Sequence, residues 1–174
     1  MQNALYIEIS LVGIAILSVI LFNQRGNIGS SLLKRQFNRM VYATIAVLVI
    51  DAACWLIDGT VFPYARELNY FFETWYYIFN ILMPFLWAVY SETALEGDAK
   101  KARAHIRILA VPMVAFMALL FFNLKYGMIF RIDAQNVYHR GDWFLLDVLL
   151  SFAYLGYASF RAMRKAIQYR GSCN

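Results

Sequence analysis

A chain of 174 residues with 61% hydrophobic and 16% charged side chains departs from the roughly one-quarter charged residues of a water-soluble globular domain. That balance excludes a soluble fold and points to a protein built for a lipid bilayer. The formal charge of +5 suggests nucleic acid only until the basic residues are sorted by loop, when they acquire a topological explanation.

In hydrocarbon every backbone amide must be satisfied within its own segment or a closed barrel. The apolar runs here are about 17 to 21 residues long, enough for a helix across a ~30 Å core and about twice what a barrel strand needs. The sequence therefore predicts an all-α integral membrane bundle of five transmembrane helices.

The first run, Leu5 to Phe22, has no Lys or Arg before it. The segment "FNQRGN" that closes it lacks an A-x-A cleavage pattern, so it reads as a retained helix rather than a signal peptide. The loop "SSLLKRQFNRM" has amphipathic spacing, and two readings stand: a short interfacial helix, or the basic start of the second helix. The second run, Met40 to Ile57, carries Asp51, Cys54 and Trp55, with Asp58 just past its end. The third, Tyr70 to Tyr90, contains Glu73, Tyr77, Asn80 and Pro84; the fourth, Ile106 to Phe122, contains Pro112. With no charge between Arg107 and Lys125, the fourth is the natural lipid-facing helix. In "MIFRIDAQNVYHRG", two short stretches rich in β-branched and aromatic residues flank Ala134, Gln135 and Asn136, which predicts a small hairpin packed on helix ends. The fifth run, Trp143 to Phe160, contains Asp147, Ser151 and Tyr154 and continues into the basic segment "SFRAMRKAIQYRGSCN". No tandem repeat or low-complexity tract divides the chain, so residues 1–174 read as one domain.

Twelve basic residues, Arg25, Lys34, Arg35, Arg39, Lys100, Lys101, Arg103, Arg107, Arg161, Arg164, Lys165 and Arg170, fall on one side of these helices. Four, Arg66, Lys125, Arg131 and Arg140, fall on the other. The positive-inside bias predicts a multi-pass protein with an outer N-terminus, a cytoplasmic C-terminus and a hairpin on the outer face. Nucleic acid is not an expected partner. Cys54 and Cys173 fall on different sides of the membrane core, so no disulfide is expected.

The acids Glu8, Asp51, Asp58, Glu73 and Asp147 all fall in the outer half of this topology or at its edge, and none falls in the inner half. Helical spacing groups Asp51, Trp55 and Asp58 on one face, Glu73, Tyr77 and Asn80 on a second, and Asp147, Ser151 and Tyr154 on a third. A carboxylate near mid-bilayer costs roughly 2.5 to 3.5 kcal/mol, so these faces should turn to the bundle interior or a wet cavity. They are expected to converge on one outward-opening pocket, whose ligand-binding candidates are Asp51, Trp55, Asp58, Glu73, Tyr77, Asn80, Asp147 and Ser151. A plainer reading stands beside it. Glu8, Asp58 and Glu73 lie close enough to the outer interface to be hydrated there, and Asp147 has Arg140 or Arg131 as a potential partner. Asp51 is the hardest acid to explain that way. Trp55, Trp75, Tyr76, Tyr77 and Trp143 suit the same pocket or an outer aromatic belt, the belt suiting Trp75 and Trp143 better.

No HExxH, CxxC, GxSxG or P-loop string occurs, so no catalytic role, metal site or cofactor is predicted. His105 and His139 lie at opposite ends of the predicted bundle, which excludes a bis-histidine haem.

"LYIEISL", "CWLIDG", "LNYFFETWYYI", "WAVYSE" and above all "IDAQNVYHRG" give the chain a resemblance, over essentially its whole length, to the membrane input region of bacterial signalling receptors, chiefly GGDEF-type diguanylate cyclases of gut Firmicutes. The resemblance implies a sensor in a bacterial inner membrane that passes a signal from the outer face to a cytoplasmic output domain or partner protein, with homodimerisation expected of such a receptor. It also implies two further membrane helices and a cyclase domain, which this sequence lacks; the expectation is a truncated copy or fragment, or a chain working through a separate partner. The function expected is thus a sensory input module for a small ligand, ion or proton. Two alternatives are a small cation- or proton-coupled transporter using the same acids, and a non-catalytic remnant or assembly protein.

Overall fold

The computed structural model describes residues 2–24, 32–96 and 99–172, with side chains over 5–23, 32–96 and 100–168. The expectations for Arg25, Arg170 and Cys173 fall outside the described side chains. Five helices dominate: α1 (Gln2–Gln24), α2 (Leu32–Ile57), α3 (Ala65–Leu95), α4 (Ala99–Tyr126) and α5 (Phe144–Ser172). All five are long and apolar enough to cross a membrane. Each extends beyond its apolar run, because charged and polar residues that suit an interface are good helix formers and continue the hydrogen-bond ladder. The basic segment before Met40 is accordingly the first turns of α2, continuous from Leu32, rather than a separate helix.

α3 is the spine, packing against α2, α4 and α5, while α1 packs on α2. Its buried residues run Ala65, Asn69, Glu73, Tyr77, Ile81, Phe85, Ala88 and Glu92, with Pro84 buried beside Phe85. That near-constant step of four traces one ridge of the helix surface, so a single ridge meets all its neighbours. Tyr77, Ile81, Phe85 and Ala88 form the core with Phe116 and Leu120 of α4 and Tyr154 of α5. As the uncharged stretch between Arg107 and Lys125 predicts, α4 leaves much of its surface, including Ile108, Val111, Val114 and Phe121, exposed.

The hairpin is present as β1 (Phe130–Ile132) and β2 (Tyr138–Arg140), antiparallel, with Arg131 opposite His139. Two paired strands alone are marginal, and the helices supply what is missing. Gly127, at φ 63, ends α4 in the left-handed conformation that spares a side chain strain, and its amide donates to the Asn123 carbonyl at 2.8 Å. The fully buried Asn123 side chain then accepts from the Ile129 and Phe130 amides at 2.6 and 3.2 Å and donates to the Phe130 carbonyl at 3.0 Å. At the turn, Asp133 Oδ1 accepts from the Gln135 and Val137 amides, both at 2.9 Å. Asn136, at φ 61, donates to the Ile57 and Thr60 carbonyls at the end of α2 and accepts from Asn69 of α3 at 3.0 Å. The Tyr138 amide donates to Asp58 Oδ1 at 2.7 Å. The hairpin is therefore a lid fixed to α2, α3 and α4.

Candidate functional site

Beneath the hairpin lies a cavity of about 630 Å³. α2 contributes Asp51, Cys54, Trp55 and Asp58; α3 contributes Glu73, Tyr76 and Tyr77; β2 and the start of α5 add Tyr138, His139, Arg140 and Phe144. Three carboxylates, one guanidinium and one imidazole thus share a lining made largely of aromatic rings. Two of the acids accept from neutral donors: Asp51 from Ser10 of α1 at 3.2 Å, and Asp58 from the Tyr138 amide at 2.7 Å. Arg140 is turned onto the Phe144 ring, 4.5 Å from its centroid. Trp55 is fixed by Tyr6 of α1, stacked at 4.5 Å and 6°. Tyr77 stacks on Phe130 at 5.2 Å and shares a 2.7 Å hydroxyl contact with Tyr138. Burial raises the Tyr138 hydroxyl above the ordinary tyrosine range, so it takes part as a neutral phenol. Such a chamber suits a small cationic or amine-bearing ligand, which carboxylates and ring faces both attract.

Of the eight sequence candidates, Asp51, Trp55, Asp58, Glu73 and Tyr77 line this cavity, whereas Asn80, Asp147 and Ser151 do not. Those three line a second cavity of about 350 Å³, with Thr44, Val47, Met83, Pro84, Val148, Phe152 and Leu155. The expected single pocket is therefore two, stacked along α2, α3 and α5. Asn80 lies a turn below Tyr76 and Tyr77, so the face shared by Glu73, Tyr77 and Asn80 spans both. Two assignments change further. Asp58 is partly committed to holding the hairpin, and Asp147 is paired with neither Arg140 nor Arg131 but accepts from Asn80 at 2.7 Å. Trp75 and Trp143 are 40% and 46% exposed, outside both cavities, as belt residues would be.

A third polar cluster lies at the opposite end of the bundle, built on Glu92, an acid outside the five singled out from the sequence. Glu92 has 0% relative exposure. Arg161 Nε donates to its Oε1 at 2.7 Å and Tyr157 to the same oxygen at 2.8 Å; Arg161 also reaches Oε2 at 3.2 Å and Glu96 at 2.8 Å. His105 Nδ1 lies 2.9 Å from Glu92 Oε2. Glu92, Glu96 and His105 present ligand atoms within 4.8 Å of one another, a spacing a metal ion would accept. The Arg161 guanidinium already bonds both carboxylates, so the cluster is an ion-pair network joining α3, α4 and α5. Spacing could have flagged Glu92, the next polar residue on the ridge after Asn69 and Glu73, but the apolar run ends at Tyr90.

In comparisons with family models, curated proteins and solved structures, nothing matches the chain.

Proposed function

We propose that the chain is the membrane-embedded sensory input module of a bacterial signalling receptor, sensing a small ligand at the acidic, aromatic cavity beneath the hairpin. The carrying observation is the course of α5. Phe144 lines the larger cavity, Asp147 and Ser151 the smaller one, and Tyr157 and Arg161 grip Glu92 at the other end. One continuous helix thus meets both the ligand chamber and the ion-pair network, and a ligand that favours one arrangement of the chamber has a rigid element through which to act. In this reading the hairpin faces outward and the basic end is cytoplasmic, which the distribution of Lys and Arg supports. An output domain or partner protein then receives the motion from the basic extension of α5.

The test is output from the receptor assembly in which the chain works. Asp51→Asn keeps the Ser10 contact and removes one cavity charge, and it is expected to shift the ligand concentration for half-maximal output by about tenfold or more, the scale of one desolvated charge contact. Unchanged output across all ligands that activate the wild type would remove the cavity from the mechanism.

A further inference from the structure

The second cavity carries an inference that stands apart from the reading of the larger one. Asp147 is 3% exposed, and only its Oδ2 is engaged, by Asn80 Nδ2. Its Oδ1 is buried with no hydrogen bond, and so is the hydroxyl of Ser151 one turn further along α5. Buried polar atoms are almost always bonded, so two orphans a turn apart on one helix face, both lining one cavity, call for a ligand. A third oxygen comes from α3. Pro84 has no amide hydrogen, so the Asn80 main-chain carbonyl lacks its α-helical donor, and both residues line the same cavity. Thr44 of α2 uses its hydroxyl hydrogen on the Met40 carbonyl at 2.9 Å and offers the cavity only an acceptor.

The lining otherwise consists of Val47, Met83, Val148, Phe152 and Leu155, with no Lys, Arg or His. A carboxylate in such surroundings needs a positive partner. One charge balances one carboxylate, whereas a divalent ion would leave an unmatched charge in an apolar setting. We propose that this cavity binds a single alkali-metal cation, with Asp147 Oδ1 as charge partner and the Ser151 hydroxyl and Asn80 carbonyl as neutral oxygen ligands. Hard monovalent ions take such all-oxygen sets, and a proline-interrupted helix is a common way to free a carbonyl for one.

The experiment is thermal unfolding of the purified chain in detergent, with sodium chloride exchanged for choline chloride at constant ionic strength and at two pH values. The wild type is expected to gain a saturable, sodium-dependent rise in midpoint that choline does not give. Ser151→Ala is expected to move the half-saturating sodium concentration up about tenfold, as is Pro84→Ala, which returns a donor to the Asn80 carbonyl. Asp147→Asn should abolish the response and Asp51→Asn, in the other cavity, should keep it. Potassium giving the same saturable rise supports the alkali site with broad selectivity. Identical curves in sodium and choline, a midpoint that follows pH alone because the acid takes up a proton only, or a sodium response surviving Asp147→Asn would each overturn the proposal. Should Asp147→Asn fail to fold, the wild-type titration and Ser151→Ala decide it.

Discussion

Glu92→Gln isolates the ion-pair network, because it keeps the side-chain volume and removes only the charge and one acceptor. In the wild type four donors or partners converge on a fully buried carboxylate: Arg161 twice, Tyr157 and His105. Breaking a buried pair by removing one partner typically costs 3 to 5 kcal/mol. Here the Arg161 side chain is 28% exposed and keeps Glu96 at 2.8 Å, so part of its charge stays solvated and paired, and about 2 to 3 kcal/mol is expected. For a chain of this length that is a fall of roughly 4 to 12 °C in unfolding midpoint. Scanning fluorimetry or circular dichroism in detergent, at one fixed scan rate, reads it. A double-mutant cycle sharpens the result: Glu92→Gln with Arg161→Met leaves no orphaned charge between them and should cost less than the two single changes together. A midpoint within about 1 °C of wild type for Glu92→Gln, or strict additivity in the cycle, would refute the claim that this network holds α3 to α5.

Two further predictions concern the hairpin. Gly141 sits where a Cβ would overlap the Met128 carbonyl, and its amide donates to Ile129 at 2.8 Å, so Gly141→Ala must push backbone from backbone; loss of the folded protein in detergent, or a midpoint lowered by more than any surface alanine, is expected in size-exclusion and melting profiles. Asp133 is held below the ordinary carboxylate range, first by its 2.7 Å contact to His139 and then by the turn amides. A lowered value means the contribution is complete above the ordinary aspartate range and is lost as pH falls through the lowered one. Hydrogen exchange at the Gln135 and Val137 amides should therefore lose protection at acid pH in the wild type and show no such pH step in Asp133→Ala.

Much of this architecture is legible in the amino-acid string, and what escapes it has a physical reason. Apolar runs mark the five helices, and the β-branched stretches around Ala134 to Asn136 mark the hairpin. Helix ends escape because a hydropathy window stops where charge begins, while the backbone ladder does not; α3 runs on to Leu95, so Glu92 lies in the helix although the apolar run ends at Tyr90. The division of the polar faces into two cavities escapes for a different reason. Spacing along one helix reports which residues share a face, but not which turn of a neighbouring helix that face meets. Asn80 meets Asp147 rather than Asp51, and only the register between α3 and α5 decides it. The hairpin's anchors are equally non-local: Asp58 and Tyr138 are 80 positions apart, and Asn136 and Ile57 are 79 apart.

The two ends of α3 deal with buried acid in opposite ways, and the contrast separates scaffold from candidate site. At one end Glu92 meets a guanidinium, a phenol and an imidazole, and the charge is answered within the chain. Such a cluster can position helices, but it has no unused valence for a ligand. Towards the hairpin, Asp51 accepts from a hydroxyl and Asp58 from a backbone amide, and one oxygen of Asp147 has no hydrogen bond. Neutral donors orient a carboxylate without balancing its charge, so the cost of burial there is met by protons, cations or a cationic ligand drawn from outside. Among the described residues, buried acids without a cationic partner lie in the chambers shared by α2, α3 and α5. α3 carries both Glu73 and Glu92, and α5 carries both Asp147 and Arg161, so under the proposed function these two helices are the elements through which a change in either cavity would reach the ion-pair network.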